Sequence, residues 1–429
     1  MDNREKLKTF FGRMGPGVIT GASDDDPSGI LTYLQAGVIL GLRALWTVMI
    51  TFPLMCAIQE MCGRIGFVTK KGLMRIIKER YPKSILYSIA FVSIIVITIN
   101  IGADLMAVGV ISERLIGLNR IFWIPAAAFI ILICMIFFSY RRFAQIMKYL
   151  TISLFFYILT VFLIKMDWFA AIKATLIPRM SFTKETFILI AAILGTTISP
   201  YLFFWQTSEE VEEREILEEN NHKKSDSPLN QTQYPSATKK QIRTLEKDTF
   251  TGMLFSNVVM WFIIAGASQL GRLYGIKEIT SFDQASTILE PLLGKFAYVM
   301  FSLGIIGTGF LAIPVLAGSV GYAFSEIFGW EEGVNKSFRQ AKGFYIVIVG
   351  ATIGGMLITL LGIDPIKLLI YTAVLYSIIS PPLIYLVLKI ANDKNIMGEN
   401  VNGKISNFFS CAALIIITLS IIAYFLSVI

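Results

Sequence analysis

Long apolar runs recur along the whole chain of 429 residues, and they limit the folds that it can adopt. A helix needs about 20 mostly apolar residues to cross the hydrocarbon layer of a bilayer. Because backbone polar groups in lipid must be satisfied within the protein, we expect these runs to be helices. We therefore predict an all-α integral membrane protein in a lipid bilayer. Its eleven predicted spans are 14–41, 44–63, 85–110, 121–140, 148–165, 185–207, 250–270, 295–325, 343–362, 366–390 and 407–428.

The composition excludes several other classes of protein. Only 16% of the residues are charged, whereas soluble domains carry about 25%. Four cysteines and one histidine exclude a disulfide scaffold and a His/Cys zinc site. The net charge is +8, but the basic residues cluster between apolar runs, which argues against a nucleic-acid partner. The sequence has no Walker motif, Ser/His/Asp set or metalloprotease motif, so we expect neither an enzyme nor a permanently bound cofactor, and we infer no obligate protein partner.

The loop charges predict the orientation of the chain. Most of the 38 Lys and Arg residues fall on one side of the membrane when the N-terminus is placed inside. The positive-inside rule then predicts a cytoplasmic N-terminus and, with eleven spans, a C-terminus outside. No cleavable signal peptide is expected, because neither a small-residue cleavage site nor a soluble domain follows the first run. The expected location is a prokaryotic inner membrane.

A polar stretch at 208–248 separates the sixth and seventh spans. We interpret it as a solvated cytoplasmic loop with a helical extension at its start. A regulatory metal-sensing role is the alternative for its acidic run. The stretch ends with a basic cluster at 239–243 and begins with the acidic residues Glu209, Glu210, Glu212 and Glu213.

The first span carries three carboxylates in its middle, Asp24, Asp25 and Asp26, followed by Pro27 and Ser28. Proline and glycine break a helix, and the predicted break at 23–29 frees backbone groups at membrane depth. One aspartate at the centre of a helix costs about 3 kcal/mol on insertion scales. Three of them must therefore meet water, a cation or protons. The alternative is an exposed loop between two short helices.

The sixth span also has a proline in its middle, Pro200, and the predicted break lies near 198–201. Matching breaks in spans one and six indicate two inverted five-helix repeats, whose freed backbone groups bind a substrate at the midplane. The repeats are predicted at 1–165 and 185–390, with an extra C-terminal helix at 407–428. An ordinary proline kink is the alternative for the sixth span alone.

At these residues the sequence resembles the Nramp (natural resistance-associated macrophage protein) family of divalent metal transporters. Asp-Pro-Ser-Gly at 26–29 stands where the family has Asp-Pro-Gly-Asn, and it follows a Gly-Pro-Gly stretch at 15–17. Gln-Glu-Met-Cys-Gly-Arg-Ile-Gly at 59–66 resembles the end of the family's second helix. The two-half layout extends the resemblance over nearly the whole chain. It implies a leucine-transporter-type fold with broken helices 1 and 6, and import of a divalent metal ion by alternating access.

The resemblance implies metal ligands in the two broken helices. Asp26 would be the principal carboxylate, while Gly29 stands at the family's asparagine and offers no side chain. Ser199 takes the place of a methionine, so that a hard oxygen replaces a soft thioether. The family's carbonyl ligand falls at Thr196. In the tenth span, Thr372 is a weak substitute for an amide ligand.

The resemblance also locates the groups that would carry protons. Asp104 in the third span matches an aspartate of the family, whereas Ala107 replaces a glutamate and Tyr201 a histidine. We therefore expect proton coupling to be weak or absent, with H⁺ as an open second substrate. The residues alone leave Asp104 either as a proton or charge relay or as a buried carboxylate bonded to the backbone of the first helix.

Asp24 and Asp25 have several predicted roles. Three adjacent carboxylates cannot all be ionised at low dielectric without a compensating cation. One of the two therefore binds metal beside Asp26, stays protonated until metal arrives, or lines an outer vestibule that concentrates cations. We count Asp25 among the metal ligands. The ligand or vestibule positions are Asp24, Gly29 and Thr372.

The predicted ligands are all oxygens, which suit Mg²⁺, Mn²⁺ and Ca²⁺ better than softer ions. Small side chains at Ser28, Gly29 and Ser199 leave room for the waters that Mg²⁺ retains. We expect Mg²⁺ or Mn²⁺ as the substrate, then Ca²⁺, with Fe²⁺ and Cd²⁺ disfavoured. One alternative is a cation-coupled symporter of amino acids or similar small solutes on the same fold, and another is a metal-permeable channel.

Overall fold

The computed structural model describes residues 15–138, 146, 149–224, 238–287 and 297–428, and these residues contain helices but no strand. Short 3-10 segments occur at Gly41–Ala44, Thr151–Leu154 and Thr359–Leu361. The α-helices are α1 (Pro16–Asp24), α2 (Pro27–Leu40), α3 (Trp46–Thr69), α4 (Leu73–Arg80), α5 (Lys83–Ile116), α6 (Arg120–Phe137), α7 (Phe155–Leu163), α8 (Trp168–Leu176), α9 (Lys184–Thr197), α10 (Pro200–Lys224), α11 (Lys239–Tyr274), α12 (Phe282–Thr287), α13 (Ala297–Phe328), α14 (Lys342–Ile358), α15 (Pro365–Ala391), α16 (Lys394–Met397) and α17 (Lys404–Val428).

Nine helical stretches in this part of the chain are long and apolar enough to cross a membrane, with α9 and α10 taken together. The first predicted span is not among them, because it is divided between α1 and α2, of 9 and 14 residues. The fifth predicted span corresponds to α7, of 9 residues, although its residue 148 lies outside the described ones. The all-helical prediction is confirmed. The total of eleven spans, the repeat boundaries and the orientation stay predictions.

The first span breaks between α1 and α2, at Asp25. Each of the two helices begins with a proline, Pro16 and Pro27, since a proline at the first helical position gives up only an amide that has no helical partner. Asp26 is the N-cap of α2, and its side chain accepts a hydrogen bond from the amide of Gly29. Local sequence therefore determines both where the helix stops and where it restarts.

The sixth span breaks in the same way, between the end of α9 at Thr197 and the start of α10 at Pro200. The break frees the carbonyl of Ile198 at membrane depth, where no water can donate a hydrogen bond to it. The hydroxyl of Ser380 on α15 reaches that carbonyl at 2.8 Å. A third helix thus satisfies the backbone of the broken one.

A hydrogen bond also joins the two breaks to each other. Tyr201, in the first turn of α10, donates its hydroxyl to the carbonyl of Ser23 in the last turn of α1, at 2.8 Å. The carbonyl of Tyr201 lies 2.8 Å from the hydroxyl of Ser319 on α13. All three side chains are buried. The ends of both broken helices are therefore fixed relative to one another.

Helix α1 crosses α11 through backbone contact at Gly21 and Gly252. A Cβ atom at Gly252 would lie 2.0 Å from the carbonyl oxygen of Gly17, and one at Gly21 would lie 2.2 Å from that of Gly252. Only glycine permits so close an approach of two helix backbones. This crossing places the carboxylates at the end of α1 beside α11.

The acidic run of the stretch 208–248 lies in helix α10, and three of its four members are buried, which corrects the expectation of a solvated loop. Glu212 is 6% exposed. It accepts hydrogen bonds from the backbone amides of Val334 at 2.9 Å and Asn335 at 3.1 Å. These distant amides replace water around the carboxylate. No sequence feature near Glu212 predicts these contacts. Residues 225–237 of the predicted loop lie outside the described residues.

A second buried carboxylate, Glu326 on α13, fixes the start of α4. It accepts hydrogen bonds from the amides of Met74 at 2.7 Å and Arg75 at 3.1 Å and from the Ser208 hydroxyl at 2.9 Å.

We expect Glu326→Ala to lower the free energy of unfolding by about 2 kcal/mol, because buried donors lose a charged acceptor. Thermal unfolding of the purified protein in detergent measures this loss as a lower Tm. Glu331→Ala, at a side chain 71% exposed, is the matched control, and an equal Tm for both variants would contradict the assignment.

Candidate functional site

Asp26 lies at the break of the first span, and both of its carboxylate oxygens accept hydrogen bonds. Its Oδ1 accepts hydrogen bonds from the amide of Gly29 at 2.6 Å and the hydroxyl of Ser28 at 2.7 Å. Its Oδ2 accepts one from the amide nitrogen of Asn100 on α5, at 2.9 Å. The residue is 1% exposed. A buried, oriented carboxylate between two helix ends is suited to bind a cation.

Asn100 connects Asp26 with the predicted relay Asp104. Its Nδ2 also lies 3.4 Å from Oδ2 of Asp104, one turn further along α5. The other atom of the amide, Oδ1, is buried and has no hydrogen-bond partner among the described residues. An amide oxygen in this state is an available cation ligand next to a carboxylate. Asp104 therefore lies next to the candidate site, linked to Asp26 through one side chain.

The absence of a side chain at Gly29 lets the two broken helices meet. A Cβ atom there would lie 3.0 Å from the hydroxyl oxygen of Thr196 and 3.2 Å from Oδ1 of Asp26. Thr196 belongs to the last turn of α9, so its hydroxyl comes close to the carboxylate across the gap between the helices. The structure thus brings Thr196 near Asp26 through its hydroxyl, whereas the ligand that the resemblance implies is its carbonyl.

Ser199, between α9 and α10, is 1% exposed. Its hydroxyl lies 2.8 Å from the carbonyl of Gly195 and 2.7 Å from that of Thr196. The predicted carbonyl ligand and the predicted hydroxyl ligand therefore contact each other directly. Thr372 is equally buried, but its hydroxyl bonds to the Leu369 carbonyl of its own helix, at 2.7 Å.

The side chains of Asp24 and Asp25 have a different hydrogen-bond partner from the groups that bond to the Asp26 carboxylate. The hydroxyl of Ser256 on α11 lies 2.9 Å from Oδ2 of Asp24 and 3.3 Å from Oδ1 of Asp25. The remaining oxygens, Oδ1 of Asp24 and Oδ2 of Asp25, are buried without a hydrogen-bond partner in the described ranges. Within those ranges no three His, Cys, Asp or Glu residues are placed to hold one metal ion together. An ion at Asp26 would therefore rely on neutral oxygens for most of its coordination.

Two polar residues of this region were missed by the sequence analysis, Asn100 and Ser256. Asn100 stands four residues before Asp104 in an apolar run, a spacing that places both on one face of a helix. Ser256 lies in the apolar seventh span, and only the crossing of α1 and α11 brings it to the carboxylates. The spacing of Asn100 and Asp104 could have been found in the sequence, whereas the contact of Ser256 with the carboxylates depends on tertiary packing.

A protein-family model and a curated relative both match nearly the whole chain. A family model described as natural resistance-associated macrophage protein-like matches residues 17–427. The divalent metal cation transporter MntH of Pectobacterium carotovorum is 24% identical over 415 residues, covering 94% of this chain and 91% of the relative.

Comparison with solved structures shows the fold. The manganese transporter of Eremococcus coleocola, solved with an aromatic bis-isothiourea compound, aligns with a TM-score of 0.72 at 14% identity, over 98% of this chain and 87% of the other. Mhp1, a nucleobase-cation-symport-1 family transporter, aligns with a TM-score of 0.56 at 10% identity, over 96% and 92%. These likenesses confirm the predicted leucine-transporter-type fold.

Replacing Asn100 with alanine is expected to weaken divalent-cation binding about tenfold, because Asp26 loses the amide that orients it and the site loses an oxygen. Titration of the purified protein with Mn²⁺ measures the change in Kd. Asn395→Ala, at an exposed asparagine outside the site, should bind like the unmodified chain. Unchanged or tighter binding by the Asn100 variant would exclude this residue from the site.

Proposed function

This chain belongs to the Nramp family of divalent metal transporters, and on that premise we propose that it imports Mg²⁺ or Mn²⁺ by alternating access, with Asp26 as the principal ligand. The observation that carries the proposal is the buried carboxylate of Asp26, held between the ends of two broken helices with the Thr196 hydroxyl close by. Binding and release of the ion are the whole chemistry. No covalent step is involved.

The proposed preference for hard ions follows from the atoms around Asp26. The candidates are the carboxylate of Asp26, the amide oxygen of Asn100 and the hydroxyl of Thr196, together with the proposed oxygens at the second break, the Thr196 carbonyl and the Ser199 hydroxyl. Such donors suit Mg²⁺ and Mn²⁺, whereas thioether donors select softer metals. Because Asp26 is the principal carboxylate and Asp104 is linked to it through Asn100, we propose that water fills part of the coordination shell, which suits Mg²⁺.

Weak or absent proton coupling is the second part of the proposal. The hydroxyl of Tyr201, at the position of the family's histidine, is donated to the Ser23 carbonyl, and a phenol does not titrate near neutral pH. Ala107 has no ionisable group. The remaining candidate proton carrier is Asp104, whose carboxylate shares the Asn100 amide with Asp26. Asp24 and Asp25 stay proposed as secondary ligands or vestibule groups.

The alternative function, symport of amino acids, is disfavoured because the side chain of Asp26 already occupies the N-terminus of α2. A substrate carboxylate in such a site would accept hydrogen bonds from the free amides at that helix end. Here the side chain of Asp26 already accepts the amide of Gly29, at 2.6 Å. An amino acid would therefore meet a carboxylate where it needs a donor.

Metal flux into proteoliposomes tests the function itself. We expect saturable uptake of Mg²⁺ or Mn²⁺ with little acidification of the interior, and a loss of at least tenfold in Asp26→Ala, because the only carboxylate at the proposed ligand position is gone. Asp364→Ala, at an exposed helix cap of α15, is the control. Flux that survives in Asp26→Ala would refute the site, and single-channel current steps would favour the channel.

Exchange of Ser199 tests the origin of ion selectivity. We expect Ser199→Met to raise Cd²⁺ uptake relative to Mg²⁺ uptake several-fold, because it supplies a soft sulfur ligand. Ser199→Ala removes the hydroxyl without adding sulfur and separates the two effects. If both variants change the Cd²⁺ to Mg²⁺ flux ratio equally, position 199 does not select by ligand softness.

A further inference from the structure

A second group of buried polar side chains lies along α10, toward the predicted cytoplasmic side. Gln206 is 0% exposed and Glu210 is 3% exposed. The Nε2 atom of Gln206 donates to Oε1 of Glu210 at 2.9 Å. The Oε1 atom of Gln206 is buried and has no hydrogen-bond partner among the described residues. The amide nitrogen of Gln206 therefore faces the carboxylate, and the amide oxygen of the same buried side chain is left unpaired.

Helix α3 packs against the side chains of Gln206 and Glu210. A Cβ atom at Gly63 would lie 3.1 Å from Nε2 of Gln206 and 3.3 Å from Cγ of Glu210, so the backbone of α3 contacts both side chains. Gln59, one turn earlier on α3, is 1% exposed. Neither its Oε1 nor its Nε2 has a partner in the described part of the chain.

Unpaired buried amides of this kind require an explanation. A buried polar group without a partner destabilises the fold, and native proteins keep few of them unless a water, an ion or a ligand completes the set. The local charge identifies the sign of the ligand, because Asp248 on α11 adds its own negative charge near Glu210. The partner that fits amide oxygens and a carboxylate in an acidic environment is a divalent cation.

The position of the group relates it to the site at Asp26. Helix α10 starts directly after Ser199, and Gln206 and Glu210 follow within three turns. At about 1.5 Å per residue, Glu210 lies about 15 Å along the helix from the break. The group therefore lies on the predicted cytoplasmic side of the break that carries Ser199.

We propose that Gln59, Gln206 and Glu210 form an inner site for Mg²⁺ or Mn²⁺, separate from Asp26 and on its predicted cytoplasmic side. The inner site rests on the proposed function, since it takes the same ion after its release from Asp26. One carboxylate and two neutral amides bind a divalent ion less tightly than a carboxylate-rich cage. The inner site therefore holds the ion only briefly before it reaches the cytoplasm.

Mn²⁺ binding to the purified full-length chain in detergent, measured by isothermal titration, tests the inner site. We expect two Mn²⁺ per chain, with one retained in Asp26→Ala and the weaker one lost in Glu210→Gln. The double variant Asp26→Ala/Glu210→Gln should bind none. Glu215→Gln, at an exposed glutamate of the same helix, should bind like the unmodified chain. If Asp26→Ala abolishes all binding while Glu210→Gln changes neither stoichiometry nor Kd, the inner site is refuted.

Gln206→Leu separates an ion site from a merely structural amide. Leucine removes both the unpaired oxygen and the donor to Glu210, so a structural amide predicts a lower Tm and unchanged Mn²⁺ binding. The inner site predicts loss of the weaker Mn²⁺ in a variant that still unfolds cooperatively. Failure of the inner site in this experiment would leave the proposed function standing, because that function is tested by metal flux in Asp26→Ala.

Discussion

The satisfaction of backbone groups at the two helix breaks is the constraint on which the rest of this structure depends. A carbonyl released at membrane depth costs several kcal/mol if nothing bonds to it. Here the Tyr201 hydroxyl bonds to the carbonyl of Ser23, and the Ser380 hydroxyl reaches that of Ile198. These bonds come from helices that are far apart in sequence. The two breaks can therefore exist only in the assembled bundle, and the bundle fixes their relative position.

The distribution of negative charge follows from the same geometry. Three consecutive aspartates could have repelled one another strongly in a dry interior, but the end of α1 and the start of α2 direct them to different neighbours. Asp24 and Asp25 face Ser256, whereas Asp26 faces Asn100 and the α2 amides. Only Asp26 is fully hydrogen-bonded as an acceptor on both oxygens. This arrangement distinguishes one carboxylate from two chemically identical neighbours.

Much of the fold was predictable because its determinants are local. Apolar runs specify helices in lipid, and Pro27 and Pro200 specify where the two broken helices restart. The burial of Glu212 was not predictable, since its partners are backbone amides more than 100 residues away. At the candidate site, Asp26 could be found from its neighbours in sequence. Asn100 and Ser256 acquire their roles only through the packing of α5 and α11 against the break, which no local pattern encodes.

The glycine crossing between α1 and α11 has a mechanical consequence. Side chains that interlock must change rotamers before two helices can separate, and each such change adds to the barrier. At Gly21 and Gly252 the contact is between smooth backbone surfaces, so there is nothing to disengage. The N-terminal end of α1 is held instead by one carboxylate, Asp248, which accepts the amides of Gly15 and Gly17 at 2.9 and 2.7 Å. Helix α1 can therefore shift against α11 at this crossing without rearranging side chains there, while Asp248 holds the described N-terminal end of α1 by hydrogen bonds.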